Sequence, residues 1–312
     1  MRVRHGLLGV LIACGPAYVA DSPLPLTDGG SDAAVVADAG VSDASVGGDG
    51  GDGAIPPRDY FMRTLNRRGP TYADAVIATV PDGFPSGNSA MTVELWIRGK
   101  LPVTCTTNFC SIFSYGSIAS PPALNTRRSL GINASKRFIV TQGGEAGVST
   151  NAAHTLEDGL WHHVALVMTP VTPTTTNYSL FFDGDADMGA NLTTATPATD
   201  TQFSIGANVS AEANGLTGDY AEVRVWNRTL TNSEIIAYKN QRRAPNTPNL
   251  IAYYDMVGRN GAALAGGTGS IVPNKAMTGT KFDAYGMTSE ASGSTNPPTP
   301  SFEVGGPGLL GP

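Results

Sequence analysis

Charge, histidine, cysteine and long apolar runs are all scarce in this sequence. Asp, Glu, Lys and Arg make up only 15% of 312 residues, and the 20 Lys and Arg are outnumbered by 26 Asp and Glu. With no basic cluster, the chain lacks what a nucleic-acid partner needs, because phosphate neutralisation takes grouped cations. Four His and three Cys do not supply the four closely spaced ligands of a structural zinc site. Past the N-terminus no apolar run approaches the roughly 18 residues of a spanning helix. Lys, Arg and Glu are also missing from residues 15–57, which hold seven Asp, while Arg2 and Arg4 precede them. Those two segments carry −7 and +2 of the formal net charge of −6, which leaves −1 on residues 58–312. What the sequence does have is 38 Gly and 22 Pro, high for a helical protein and expected of a turn-rich β protein with flexible segments attached.

Arg2 and Arg4 lead into Leu7-Leu8-Gly9-Val10-Leu11-Ile12-Ala13, the basic-then-apolar order of an export signal over residues 1–13. Leu11-Ile12-Ala13-Cys14 resembles the lipobox of bacterial lipoproteins, where the freed Cys receives lipid. Several acyl chains together hold a protein stably on a membrane, each buried CH₂ contributing about 0.8 kcal/mol. The competing reading is an ordinary signal cleaved after Ala17 or Ala20, with Cys14 discarded. A lipidated Cys14 followed by Gly15 points to the bacterial envelope, with outer-membrane anchoring and surface exposure expected. Residues 14–57 are low-complexity Asp, Ala, Gly and Ser, without the apolar surface to offset chain entropy, and read as a disordered acidic tether.

Beyond Arg58 short β-type runs alternate with Gly, Pro, Asn and Asp clusters. Met91, Val93, Leu95 and Ile97 share one face of a strand, and Trp161 to Met168 form an apolar run, broken by two His, that suits a strand covered on both sides. Tyr178 to Phe182 ends at Asp183-Gly184, a hairpin-turn dipeptide. Thr231-Asn232-Ser233-Glu234 forms a capping box for one short helix, ending near Asn240. The expectation is an all-β fold, a two-sheet antiparallel sandwich with one short helix, over residues 58–286, and a flexible tail over 287–312.

Candidate sites are few. In an oxidising compartment Cys105 and Cys110 most simply form a disulfide; zinc and redox readings lack ligands and the Cys-x-x-Cys spacing. His162 and His163 are consecutive on a strand and point to opposite faces, so packing, one inside and one on the outer face, is the simpler reading than shared metal binding. His154 sits in a polar loop with no evident partner. Asp183, Asp185 and Asp187 are spaced like the start of a calcium loop, but Thr194 stands where such a loop places its bidentate Glu. They are calcium candidates beside the alternative of a solvated turn, and calcium is the only cofactor the sequence suggests. Asp219 and Glu222 are further candidates for a rim site.

Thr92-Val93-Glu94-Leu95-Trp96-Ile97, Asp158-Gly159-Leu160-Trp161-His162-His163-Val164-Ala165, Leu180-Phe181-Phe182-Asp183-Gly184, Phe203-Ser204-Ile205-Gly206 and Gly218 to Leu230 follow one another before the Glu234-Ile235 helix. In that order they resemble the laminin-G-like, concanavalin A-like lectin/glucanase family. One departure is Ala221-Glu222, where the family usually has Asp-Glu. The resemblance implies a jelly roll of two packed antiparallel sheets. It also implies a loop rim that in some members binds glycans or proteins, often with calcium. Glycoside hydrolases of this fold hold acids at alternate positions of one strand. Glu94 is the only acid in its strand, and Glu222 is followed two positions on by Arg224, so no catalytic residues are assigned. The chain is therefore expected to be a lipid-anchored surface module, not an enzyme, that recognises a glycan or an extracellular protein in adhesion. A structural envelope component and a glycan-active hydrolase are the alternatives.

Overall fold

The computed structural model describes residues 60–64, 74–79, 84–85, 87–99, 109–117, 126–142, 147–156, 158–193, 201–207, 215–258, 263–264, 270–276, 283–288 and 301–309, all within the second of two units, Gly53–Pro312. The expected signal segment and tether, Cys14 and Cys105 lie outside them.

The strands are β1 (Tyr60–Thr64), β2 (Asp74–Thr79), β3 (Met91–Gly99), β4 (Cys110–Ser117), β5 (Arg127–Ile132), β6 (Phe138–Gln142), β7 (Val148–Ser149) and β8 (His162–Thr172). There follow β9 (Thr175–Phe182), β10 (Asp185–Thr193), β11 (Thr201–Ile205), β12 (Gly218–Trp226), helix α1 (Asn232–Lys239), β13 (Leu250–Tyr254), β14 (Ile271–Val272), β15 (Ala284–Thr288) and β16 (Ser301–Val304). The first sheet runs β10-β9-β8-β3-β12-β1-β16, with β13 also on β12, and the second runs β14-β15-β2-β11-β4-β5-β6-β7. Every one of these strand pairings is antiparallel. The chain is thus the all-β, two-sheet jelly-roll sandwich with a helix that its patterning predicts.

Alternation explains the packing. Met91, Val93, Leu95 and Ile97 of β3 join Val164, Leu166 and Met168 of β8 and Phe113, Leu130, Phe138 and Phe203 of the second sheet in the core between the sheets. The other faces of β8 and β12 are covered as well. Ala165, Val167, Phe181, Trp226 and Leu230 form a second apolar cluster with Ile235 of α1 and Tyr253 of β13. Ile235 is the one buried residue of the helix, so a single apolar anchor of about 1.5–3 kcal/mol needs polar help to hold α1 down.

That help is visible at both helix ends. The Thr231 hydroxyl accepts from the Glu234 amide at 3.3 Å, and Glu234 accepts from the Thr231 amide at 2.9 Å, which completes the capping box. At the other end, last-turn carbonyls without helical partners are met from the sheet, by the Trp96 indole at Lys239 O (2.9 Å) and by Arg224 at Tyr238 O (3.0 Å).

Residues 287–312, expected as a flexible tail, are in part sheet. Met287 and Thr288 finish β15 on β2, and β16 pairs along β1 from Ser301↔Arg63 to Val304↔Tyr60, with Phe302 buried against the core. A four-residue strand among Gly and Pro gives too short an alternation to stand out, and only its partner β1 makes it a strand.

Candidate functional site

At the start of β8 the sandwich gathers most of the acidic and histidine candidates. Asp183 and Gly184 take φ of 53° and 97°, the left-handed pair that a two-residue hairpin requires. This folds the Asp183 carboxylate back onto β8. One oxygen accepts from the His163 amide at 2.8 Å, and the other lies 2.8 Å from His162 Nδ1. His162 Nε2 is 3.1 Å from Asp158, whose carboxylate also accepts from the Leu160 amide at 2.9 Å. Slight burial pushes the Asp158 carboxyl up, but the Leu160 amide and His162 outweigh it and hold the group below its usual value. His154, for which the sequence offered no partner, is paired with Asp187. The two His rings lie against Phe182, at 4.8 Å for His162 and 4.3 Å for His154.

The three calcium candidates are therefore spread along the hairpin. Asp183 faces His162, Asp187 faces His154, and Asp185 is exposed opposite Phe182 at the first position of β10. Extended chain separates alternate residues that a calcium loop would wrap around the ion. Among the described residues no three His, Cys, Asp or Glu converge in a way that could hold a metal ion. His162 and His163 do point to opposite faces: His162 stacks on Phe182 while His163 meets the edge of Trp96 at 5.4 Å on the outer face. That outer face is not open at His163, which is only 1% exposed. Cys110 is buried at the first position of β4.

The outer face of the first sheet carries two arginine–carboxylate clusters. The covered one lies beneath the end of α1. Arg224 reaches Glu94 at 3.3 Å and Glu222 at 3.0 Å, Trp226 donates to Glu94 at 3.1 Å, and Tyr253 donates to Glu222 at 2.7 Å. Glu222 sits at φ 53° in the bulge between Ala221 and Arg224, where the extra residue turns its carboxylate toward Arg224. Burial raises the Glu94 carboxyl, but Arg224, His163 and Trp226 together overcome it and leave the group at about 2. A carboxyl so firmly ionised and 0% exposed is unsuited to general-acid work.

The second cluster, at the β1 side, surrounds Asp219, the one member of it that the sequence marks as a candidate. Asp219, fully buried, accepts from Arg98 (2.8 Å) and Arg63 (2.8 Å). The guanidinium carbon of Arg98 lies 4.7 Å from the Trp161 ring centroid and 5.3 Å from that of Phe61, and that of Arg63 lies 5.0 Å from Phe61. Trp161 and Phe61 themselves meet edge to face at 5.6 Å. Arg98 terminates the alternation of β3, and Trp161 directly precedes β8. Both were legible as strand residues, but their meeting depends on the order β8-β3-β12-β1.

The chain belongs to the Concanavalin A-like lectin/glucanases superfamily, whose laminin-G-type model matches residues 71–236, more than half of its length. No curated protein matches. Among solved structures the chain is similar to a candidate carbohydrate-binding protein from Bacteroides ovatus, with 17% identity and a TM-score of 0.50 over 74% of this chain; the match spans 58% of that protein's length. It is also similar to the heptameric SAP-like pentraxin of Limulus polyphemus, at 16% identity and a TM-score of 0.41, over 59% of this chain and 82% of that one.

Proposed function

We propose that this chain is a noncatalytic binding module that recognises a glycan or an extracellular protein, displayed from a bacterial membrane by a lipid on Cys14 and the acidic tether that follows. The observation that carries the noncatalytic part is the state of the acids. Glu94 and Glu222 are tied to Arg224, Asp219 to Arg63 and Arg98, Asp183 to His162, and Asp187 to His154. A glycosidase needs two carboxyls about 5–9.5 Å apart, one of them holding a proton to give. The paired, buried Glu94 does not meet that requirement. The similarity to a candidate carbohydrate-binding protein supports a glycan as the ligand class.

Saturable retention on a glycan array, with no release of reducing sugar from the bound glycan, is the expected result; turnover of a bound glycan would overturn the noncatalytic reading. Anchoring is tested apart from binding. Cys14→Ser should move the protein from the membrane to the soluble fraction, and unchanged partition removes the lipid anchor. For the proposed Cys105–Cys110 disulfide, alkylation without reductant should leave both unlabelled in an intact-mass spectrum.

A further inference from the structure

The open arginine–aromatic cluster has features that its structural role does not use. Arg98 spends Nε (3.1 Å) and Nη2 (2.8 Å) on Asp219, and no described residue accepts from its Nη1. Arg98 and Arg63 share the Asp219 carboxylate. The arginine side chains are 25% and 21% exposed, whereas those of Arg224 and Glu94 are at 1% and 0%. Trp161 is half-buried beside them, its indole N–H held by Gly305 O at 3.4 Å, and Leu160, 62% exposed, lies next to it in the chain.

A tryptophan fixed by its N–H, with an arginine on its ring, pairs a flat apolar surface with an oriented fork of donors. Guanidinium forks match carboxylate and sulfate oxygens bidentately, and ring faces suit the C–H faces of a pyranose, apolar like the bodies of other amphipathic ligands. Buried Asp219 fixes the Arg98 guanidinium in advance, which lowers the ordering cost of binding. In the pairing pattern Glu303 lies opposite Phe61 on β16, three strands from Arg98. We infer that Arg98 and Trp161, on the outer face of the first sheet, form a binding site for an acidic saccharide, whose ring lies on Trp161 while its carboxylate or sulfate meets the Arg98 guanidinium. This assignment rests on the proposed binding function and names its ligand class.

The test measures titration calorimetry of the full chain against an oligogalacturonate, a sulfated heparin oligosaccharide and an uncharged cello-oligosaccharide. Wild type should hold one acidic probe at least tenfold more tightly than the uncharged one, weakening with added salt as screening requires. The preferred acidic probe identifies the oxyanion. Arg98→Gln and Trp161→Ala should each weaken that binding at least tenfold while keeping the wild-type circular dichroism spectrum. Arg63 still holds Asp219 in the first, and the second tests the ring alone should Arg98→Gln misfold. Acidic-probe binding unchanged in both variants overturns the site, as does wild type that ignores both acidic probes. A protein that holds the uncharged probe and neither acidic one keeps its binding function and loses this site; one that holds no glycan and no protein ligand loses both.

Discussion

The two clusters on the outer face of the first sheet use the same parts and end in different chemistry. Each has arginine on carboxylate beside aromatic rings, and each joins β3 to β12. In the covered cluster Arg224 is spread over Glu94, Glu222, Tyr238 O and Gln241 O, and α1 and β13 seal it. In the open cluster Asp219 is met by arginines of β3 and β1, and the arginines keep about a quarter of their surface. Solvent access, set by where α1 lies, makes one cluster a clamp for the helix and leaves the other able to take a ligand. A buried pair has no water to fall back on when a partner is lost, whereas an exposed pair does.

Removing the centre of the clamp should therefore have the largest effect. Arg224→Met leaves Glu94 buried without its arginine, leaves Glu222 only the more distant Arg242 at 3.8 Å and takes a donor from the Tyr238 and Gln241 carbonyls, a loss of about 3–5 kcal/mol measurable by urea unfolding. A loss under about 1 kcal/mol would show that the cluster is not a clamp. The pH dependence has a definite sign. In wild type Glu94 is depressed from 4.5 to about 2, so its contribution is complete above pH 4.5 and is lost as pH falls toward 2. In the variant Glu94 sits higher than in wild type, with His163 and Trp226 still lowering it, so less stability is lost in acid. The gap between the two proteins should narrow on acidification, and a gap that widens contradicts the assignment.

A smaller change loosens the cover instead of the charge. Thr231→Ala removes the acceptor of the Glu234 amide and should cost about 1 kcal/mol. Glu234 remains bound to Arg228 at 2.8 Å. Hydrogen bonds from Arg228 and the Thr231 amide hold its carboxyl at about 2, so this contribution too is complete above pH 4.5 and fades in acid. Amide exchange within α1 should quicken in the variant while that of β8 stays slow, which ties the cap to the cover and not to the sandwich. Equal acceleration in both would mean that α1 does not open separately.

How much of this was readable beforehand follows the range of each interaction. The capping box at Thr231 and the Asp183-Gly184 turn are built within four residues and are evident in the chain. So is the apolar alternation of β3, which made the jelly roll recognisable. The clusters are not of that kind. Asp219 meets Arg98 and Arg63 across 121 and 156 residues, and His154 finds Asp187 33 residues on only through the register of β9 and β10. Asp219 and Glu222, read from sequence as rim candidates, are interior counter-ions: β3 and β1 bring arginines to Asp219, and the bulge in β12 turns Glu222 onto Arg224 of its own strand. The same pairing turns Ser301-Phe302-Glu303-Val304 from expected tail into an edge strand.

The smallest expected effect is the most telling for the comparison. Arg98→Gln deletes one of two cations on Asp219 in a site that water reaches, with Arg63 retained at 2.8 Å, so unfolding free energy should fall by no more than about 1 kcal/mol. Against the several-fold larger loss for Arg224→Met, this separates the clusters by solvation, since both changes remove a guanidinium paired across β3 and β12. Near-equal losses would mean that the open arginines are as structural as the covered one. A small loss leaves the Arg98 guanidinium dispensable to the fold, which is the condition for assigning it to a ligand.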